Sequence, residues 1–102
     1  MRQSKVFMHG QIAGTLMETD TGYSFLYQNG YTGEPVSLTM PIQTKEYYYS
    51  SFPPFFDGLL PEGVQLEAML RLKKLDRNDL FGQLIAVGTD LVGAVTVENS
   101  SV

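Results

Sequence analysis

A change in hydrophobic period half-way along the chain limits what it can fold into more than any other feature of the sequence. From residue 6 to residue 49, apolar side chains recur mostly at every second position, which is the period of a half-buried strand. From Pro54 onward they recur at intervals of three and four residues, the period of an amphipathic helix. Strands followed by helices are typical of the α+β class, so we expect a small antiparallel sheet with two or three helices packed against it.

Turn residues divide the first half of the chain into predicted strands. These strands are expected at residues 6–9, 12–19, 23–27 and 36–40. Gly10-Gln11 is the predicted two-residue turn of the first hairpin. Pro41 ends the fourth strand, because proline has no amide hydrogen to donate to a sheet. The tyrosine-rich residues 45–49 are ambiguous between a short edge strand and an aromatic loop.

The second half predicts helices and a closing strand. The helices are expected at residues 54–60, at residues 62–75, and from a cap at Asn78 to a stop at Gly88, with the strand at 92–97. The middle helix carries an i,i+4 ion pair between Glu67 and Arg71. Its apolar residues form two stripes, namely Val64, Ala68, Leu72 and Leu75, and then Leu66, Met69 and Leu70. A core-facing helix requires only one stripe, which leaves the other available to a partner.

Composition and motifs exclude several classes of chemistry. The chain of 102 residues is expected to be a single domain, 1–102, with a flexible tail from residue 98. The absence of cysteine excludes a disulfide framework, a thiolate metal site and a cysteine nucleophile. His9 is the only histidine, and neither a G-x-S-x-G elbow nor a glycine-rich phosphate loop is present. We therefore expect His9 to be an ordinary exposed side chain, and we expect no catalytic residue, metal or cofactor.

Charge and hydropathy indicate where the protein works. A net charge of -4 argues against a protein that binds nucleic acid by itself, because phosphate neutralisation supplies much of such affinity. The longest purely hydrophobic run is residues 84–87, which is too short for a signal peptide or a membrane span. The cytoplasm is therefore the expected compartment, with no membrane partner.

Two clusters leave alternatives open. Four basic residues, Arg71, Lys73, Lys74 and Arg77, form either a solvated helix end or a patch for an acidic partner, with DNA contacted at most indirectly through a larger complex. The aromatic residues at 47–49, 52, 55 and 56 either fill the core or provide interface anchors.

Three segments together resemble a known family. They are the sequence FFDGLLPEG at residues 55–63, PVSLTMP at residues 35–41 and VGAVTV at residues 92–97. These resemble the N-terminal subdomain of the HipA family, the serine/threonine kinase toxins of bacterial toxin-antitoxin systems. The first segment is the most specific, and the resemblance extends from residue 6 to residue 97. In the family this unit caps the kinase N-lobe and is followed by the kinase in the same polypeptide.

The resemblance implies a binding function rather than an enzymatic one. A kinase needs a phosphate-binding loop, a catalytic lysine, a catalytic aspartate and a metal-binding aspartate, and this sequence does not contain that combination. The chain looks like the free-standing HipS subunits of tripartite HipBST systems, in which the kinase HipT lacks this subdomain and a HipB-like protein carries the helix-turn-helix. It is therefore expected to be an antitoxin that caps the N-lobe of a HipT-like kinase and obstructs its active-site cleft. A subunit that bridges kinase and repressor, or a split cap that supports kinase activity, is the alternative.

The same resemblance implies a set of partner-binding residues. They are Phe55, Gly58, Leu60, Pro61, Glu62, Gly63 and Val64. Phe55, Leu60 and Val64 are the expected anchors, while the two glycines permit close approach of a partner backbone. The alternative is that FFDGLL chiefly fills the domain's own core, with the interface elsewhere.

Overall fold

The computed structural model describes residues 1–91 and 93–101, over which the chain forms one five-stranded sheet with helices packed against it. The strands are β1 (Gln3–Met8), β2 (Gln11–Thr19), β3 (Gly22–Tyr27), β4 (Glu46–Tyr49) and β5 (Val95–Asn99). The helices are α1 (Pro54–Asp57), α2 (Gly63–Lys73) and α3 (Leu80–Val87), followed by a 3-10 turn at Gly88–Asp90. The strand order is β4-β3-β2-β1-β5, and all neighbours are antiparallel. The predicted α+β class is confirmed.

The first hairpin closes one residue earlier than predicted. Its two-residue turn is His9-Gly10, with φ values of 51° and 79°, and Gln11 already belongs to β2. A type I′ turn needs positive φ at both central residues and favours glycine at the second, which places the turn here rather than at Gly10-Gln11. The His9 amide donates a hydrogen bond to the Ala94 carbonyl at 2.8 Å, so the turn is held against the segment that enters β5.

The predicted fourth strand at residues 36–40 is wrong. An alternating strand would place Val36, Leu38 and Met40 on one face, yet Leu38 is 95% exposed while the other two are buried. The Tyr27 hydroxyl accepts a hydrogen bond from the Val36 amide and donates one to the Met40 carbonyl. These two backbone groups are therefore bonded to a side chain and not to a neighbouring strand, and the segment is a loop. The ambiguous residues 45–49 supply the edge strand β4 instead.

The helices agree with the predicted positions but differ at their ends. α1 is shorter than predicted and ends at Asp57. α3 is capped by Asp79 and not by Asn78. The Asp79 carboxylate accepts a hydrogen bond from the Gly82 backbone amide, whereas the backbone amide of Asn78 donates to the Asp76 carboxylate.

Two further expectations about the second half change in the structure. Glu67 pairs with Arg77 at 2.6 Å rather than with Arg71, because the chain turns back after α2. Val92, the first residue of the predicted closing strand, lies outside the described residues. The strand itself is Val95–Asn99, so residues 98 and 99 of the expected flexible tail lie in β5, and the Ser100 amide donates to the Gln3 carbonyl at 3.0 Å.

One face of the sheet and the helices enclose the core. Its largest fully buried side chains include Phe25 of β3, Phe56 of α1 and Phe81 of α3. Burial of each such ring stabilises the fold by about 1.5–3 kcal/mol. α2 contributes only Met69 and Leu70 as buried side chains, so most of this helix lies at the periphery. Within the described residues, no helix is long and apolar enough to cross a membrane.

Arg2 joins the sheet to α3. Its guanidinium donates to both carboxylate oxygens of Glu18 at 2.7 and 2.8 Å and to both of Asp79 at 2.9 and 2.7 Å. It also lies 5.3 Å from the centroid of the Phe81 ring, within the range of a cation–π contact. Hydrogen bonding to Arg2 lowers the pKa of both carboxyl groups, and the Gly82 amide lowers that of Asp79 further.

Candidate partner-binding surface

The aromatic start of the segment from Phe55 to Val64 is anchored in the core. Phe56 is fully buried, with its ring centroid 5.9 Å from that of Phe25. Phe55 is half-buried and packs edge-on against Phe56, with 5.1 Å between centroids. Leu60 is buried as well. The core explanation therefore accounts for Phe56 and Leu60, while Phe55 keeps part of its surface available.

The later part of the same segment turns outward. Pro61 is half-buried, whereas Glu62, Gly63 and Val64 are exposed, and Val64 reaches 86% exposure. Gly63 begins α2 with φ of 60°, and a Cβ built there meets nothing within 4 Å. Glycine is needed at this position for its backbone conformation and not for space, because most residues avoid positive φ. The buried residues Phe56 and Leu60, which precede this turn, attach it to the core.

Gly58 does not share that requirement. It has φ of -64°, and a Cβ would lie 3.4 Å from the Phe55 carbonyl oxygen, an ordinary contact distance. The domain itself therefore does not require glycine here, and the predicted role of Gly58 in a close approach to a partner stays a prediction.

A groove of about 600 Å³ lies beside the turn. It brings together four of the predicted residues, Gly58, Leu60, Pro61 and Glu62, and leaves out Phe55, Gly63 and Val64. The other lining residues are Leu59, Gln65, Val87, Asp90 and Leu91. Apolar walls with two carboxylates suit an apolar or cationic side chain of a partner. Sequence reasoning missed the wall formed by Val87, Asp90 and Leu91, because no local pattern connects it to residues 58–65.

The aromatic cluster divides between the two roles considered for it. Phe52 is buried and packs edge-on against Tyr23 at 5.3 Å and against Phe81 at 6.4 Å. Tyr47 and Tyr49 also pack against the core, whereas Tyr48 is 74% exposed on the open face of β4. Core packing thus explains most of the cluster, and Tyr48 is its exposed member.

Most ionisable side chains of the described residues are exposed at the surface. His9 is exposed, and its Nε2 lies 3.9 Å from a carboxylate oxygen of Glu34, which is also exposed. Across residues 1–91 and 93–101, no group of three or more histidine and acidic side chains is placed to hold a metal ion. Arg77 is engaged by Glu67, while Arg71, Lys73 and Lys74 project from the exposed end of α2.

Comparison with known proteins identifies the fold. The sequence profile of the HipA N-terminal domain matches residues 4–98. The chain belongs to the HipA N-terminal domain family. A solved structure of the N-terminal domain of HipA toxin superposes with a TM-score of 0.82 and 30% identity, covering 99% of this chain and 94% of that one. An uncharacterised protein of Haemophilus influenzae is 33% identical over 98 residues, which cover 96% of this chain and 92% of that protein.

These relationships confirm the predicted resemblance and the fold that it implies. HipA membership connects the chain to toxin-antitoxin systems, in which proteins act by contact with one another. The match is to the N-terminal domain of HipA and not to its kinase catalytic domain. The predicted partner-binding residues stay a prediction, and three of them, Glu62, Gly63 and Val64, are exposed at the surface.

Proposed function

We propose that this protein is an antitoxin that binds a separate HipT-like serine/threonine kinase, caps its N-lobe and obstructs its active-site cleft. It acts in the cytoplasm, in a ternary complex with a HipB-like helix-turn-helix protein through which any DNA contact is made. The observation that carries the proposal is Val64, a valine 86% exposed on a turn whose base is anchored in the core of a HipA N-terminal domain.

The anchoring favours inhibition by a preformed contact. Leu60 before the turn and Met69 after it are buried, so the turn loses little conformational freedom when it binds. Val64 then enters an apolar site on the kinase, and the neighbouring groove accepts a side chain in return. A few such central anchors account for most of the binding energy of typical interfaces.

The size of the molecule is sufficient for this role. Its solvent-accessible surface is 6256 Å². A standard interface takes about 800 Å² from each partner, or about 13% of that surface. Neutralising a kinase at low concentration requires nanomolar affinity, equivalent to about -12 kcal/mol, which interfaces of this size do reach.

Phosphorylation assays with the purified kinase, without the HipB-like subunit, test the proposal. We expect the wild-type protein to suppress phosphorylation of the kinase's target, and Val64→Arg to lose most of that suppression. The matched control is Leu38→Arg, at an apolar residue that is 95% exposed in the loop between β3 and β4, which should inhibit like the wild type. Both variants change exposed positions and should keep the melting temperature of the wild type.

Three outcomes would contradict the proposal in different ways. Unchanged phosphorylation with the wild-type protein would make it a bridging subunit between kinase and repressor. Increased phosphorylation would make it a split cap that supports the kinase. Full inhibition by Val64→Arg would place the inhibitory contact away from the turn.

A further inference from the structure

α2 has an apolar face on each of two opposite sides. Leu66, Met69 and Leu70 face the rest of the protein and are buried or half-buried. Val64, Ala68 and Leu72 follow one another at four-residue intervals and form an outer stripe on the other side, on which Leu72 is 81% exposed. A peripheral helix of 11 residues needs only the inner face to attach to its domain. The outer stripe therefore has no role within the described part of the protein.

The far end of this outer stripe is basic. Arg71 and Lys73 flank Leu72 in the sequence and Lys74 follows them; all three are exposed, and within residues 1–91 and 93–101 none of the three forms an ion pair. The nearby acidic residue of the helix, Glu67, is already neutralised by Arg77 at 2.6 Å. This local positive charge contrasts with the net charge of -4 of the whole chain. A surface that complements it must be both apolar and acidic.

We propose that the outer stripe of α2 is a docking surface for an apolar patch of the partner kinase that is rimmed by carboxylates. Leu72 is buried in that patch, and Arg71 and Lys73 pair with the carboxylates around it. The inference rests on the proposed function and extends it, because it assigns a second contact with its own chemistry to the same partner. The outer stripe spans about 12 Å from Val64 to Leu72, so both contacts lie on one continuous surface.

A protein partner suits this surface better than DNA does. The phosphate backbone of DNA would attract the three basic residues, but it offers nothing against which Leu72 and Val64 can be buried. A protein surface with an apolar patch and an acidic rim can bury the two apolar residues and also pair with the basic ones. Charges at the rim of such an interface mainly increase the association rate and select the partner, while the apolar residue holds the complex together.

Dissociation constants measured with the purified kinase at low and high salt test the inference. We expect Leu72→Asp to weaken binding at least tenfold, while the control Leu38→Asp, at another exposed leucine, leaves it unchanged. The double variant Arg71→Glu/Lys73→Glu should weaken binding about tenfold at about 50 mM salt and much less at about 500 mM, because exposed charges are screened. Lys5→Glu/Lys45→Glu changes the net charge equally at distant exposed positions and should have little effect.

The outcomes separate this inference from the proposed function. If Val64→Arg loses binding while the Leu72 and Arg71/Lys73 variants keep wild-type affinity, the basic end of the outer stripe at Leu72 is not a contact, so the inference fails and the proposed function stands. If the wild-type protein does not bind the kinase, both fail. Charge variants that alter only the DNA affinity of the ternary complex would overturn the inference, as would a Leu72 variant that alters only self-association in light scattering.

Discussion

At the scale of the residue, glycines with ordinary backbone angles show how closely the elements approach. Gly88 follows α3 with φ of -57°, and a Cβ there would clash with the Val97 carbonyl oxygen of β5. Its role is therefore steric, since the angle itself suits any residue. Gly58 has a similar φ of -64°, but a Cβ there would lie 3.4 Å from its nearest neighbour. The two glycines have similar backbone angles and differ in the space around them, so comparing them isolates the effect of close packing.

We expect Gly88→Ala to lower the free energy of unfolding by about 1–3 kcal/mol, because the added methyl group forces α3 and β5 apart. Gly58→Ala should be neutral or stabilise the protein by about 0.4–1 kcal/mol, since alanine restricts the unfolded chain at a position it can occupy. Urea unfolding followed by circular dichroism measures both. Equal effects of the two substitutions would contradict the close approach of α3 to β5.

At the scale of the element, one arginine joins two strands and a helix that are far apart in sequence. Arg2 precedes β1, Glu18 lies near the end of β2, and Asp79 caps α3. The chain brings them together only when the sheet has formed and α3 has docked on it. The three side chains are partly exposed, which limits their ion pairs to about 1 kcal/mol in total.

This network predicts a loss of stability in acid. Because Arg2 lowers the folded-state pKa of Glu18 and Asp79, both carboxyl groups bind protons more weakly in the folded protein than in the unfolded chain. Their contribution is complete above the ordinary carboxyl pKa of about 4 and is lost as the pH falls through the lowered values. We expect Arg2→Met to reduce the free energy of unfolding at pH 7 and to flatten its decline in acid.

Urea unfolding between pH 7 and pH 2 checks this expectation. Lys5→Met, at an exposed residue of β1, removes one positive charge outside the network and serves as the control. If Arg2→Met and Lys5→Met show the same dependence on pH as the wild type, the network does not contribute to stability.

At the scale of the whole molecule, the sheet with α1 and α3 forms the stable body, and α2 is attached to it by few buried residues. Elements with little buried surface open more often than the core does. In the free protein we therefore expect amides of α2 to exchange with deuterium faster than those at the centre of β2, where Leu16 is fully buried.

Adding the kinase should slow exchange in α2 and in residues 58–62, and leave the β1–β2 pairs unchanged. Binding protects the element that it covers, and the protection grows with the ratio of free kinase to its dissociation constant. Mass spectrometry of peptic peptides resolves these segments. Protection confined to the sheet edges β4 and β5 would instead place the kinase contact outside α2 and residues 58–62.

The sequence by itself determined the α+β class, the β1–β2 hairpin, the third strand and the approximate positions of the helices. Each depends on residues close together in the chain, whose spacing and turn chemistry are visible without the fold. The sequence also placed Gly63 and Val64 at the start of a predicted helix and among the predicted partner-binding residues, but it left open whether Phe56 and Leu60 belong to the core.

Only the tertiary structure decided the features that depend on distant partners. Residues 36–40 form a loop because the hydroxyl of Tyr27, from another strand, takes their backbone hydrogen bonds. Glu67 pairs with Arg77 because the chain reverses after α2, and the groove acquires its second wall from residues 87–91. These contacts join groups that no local period or spacing connects, so their free energy is realised only once the chain has folded.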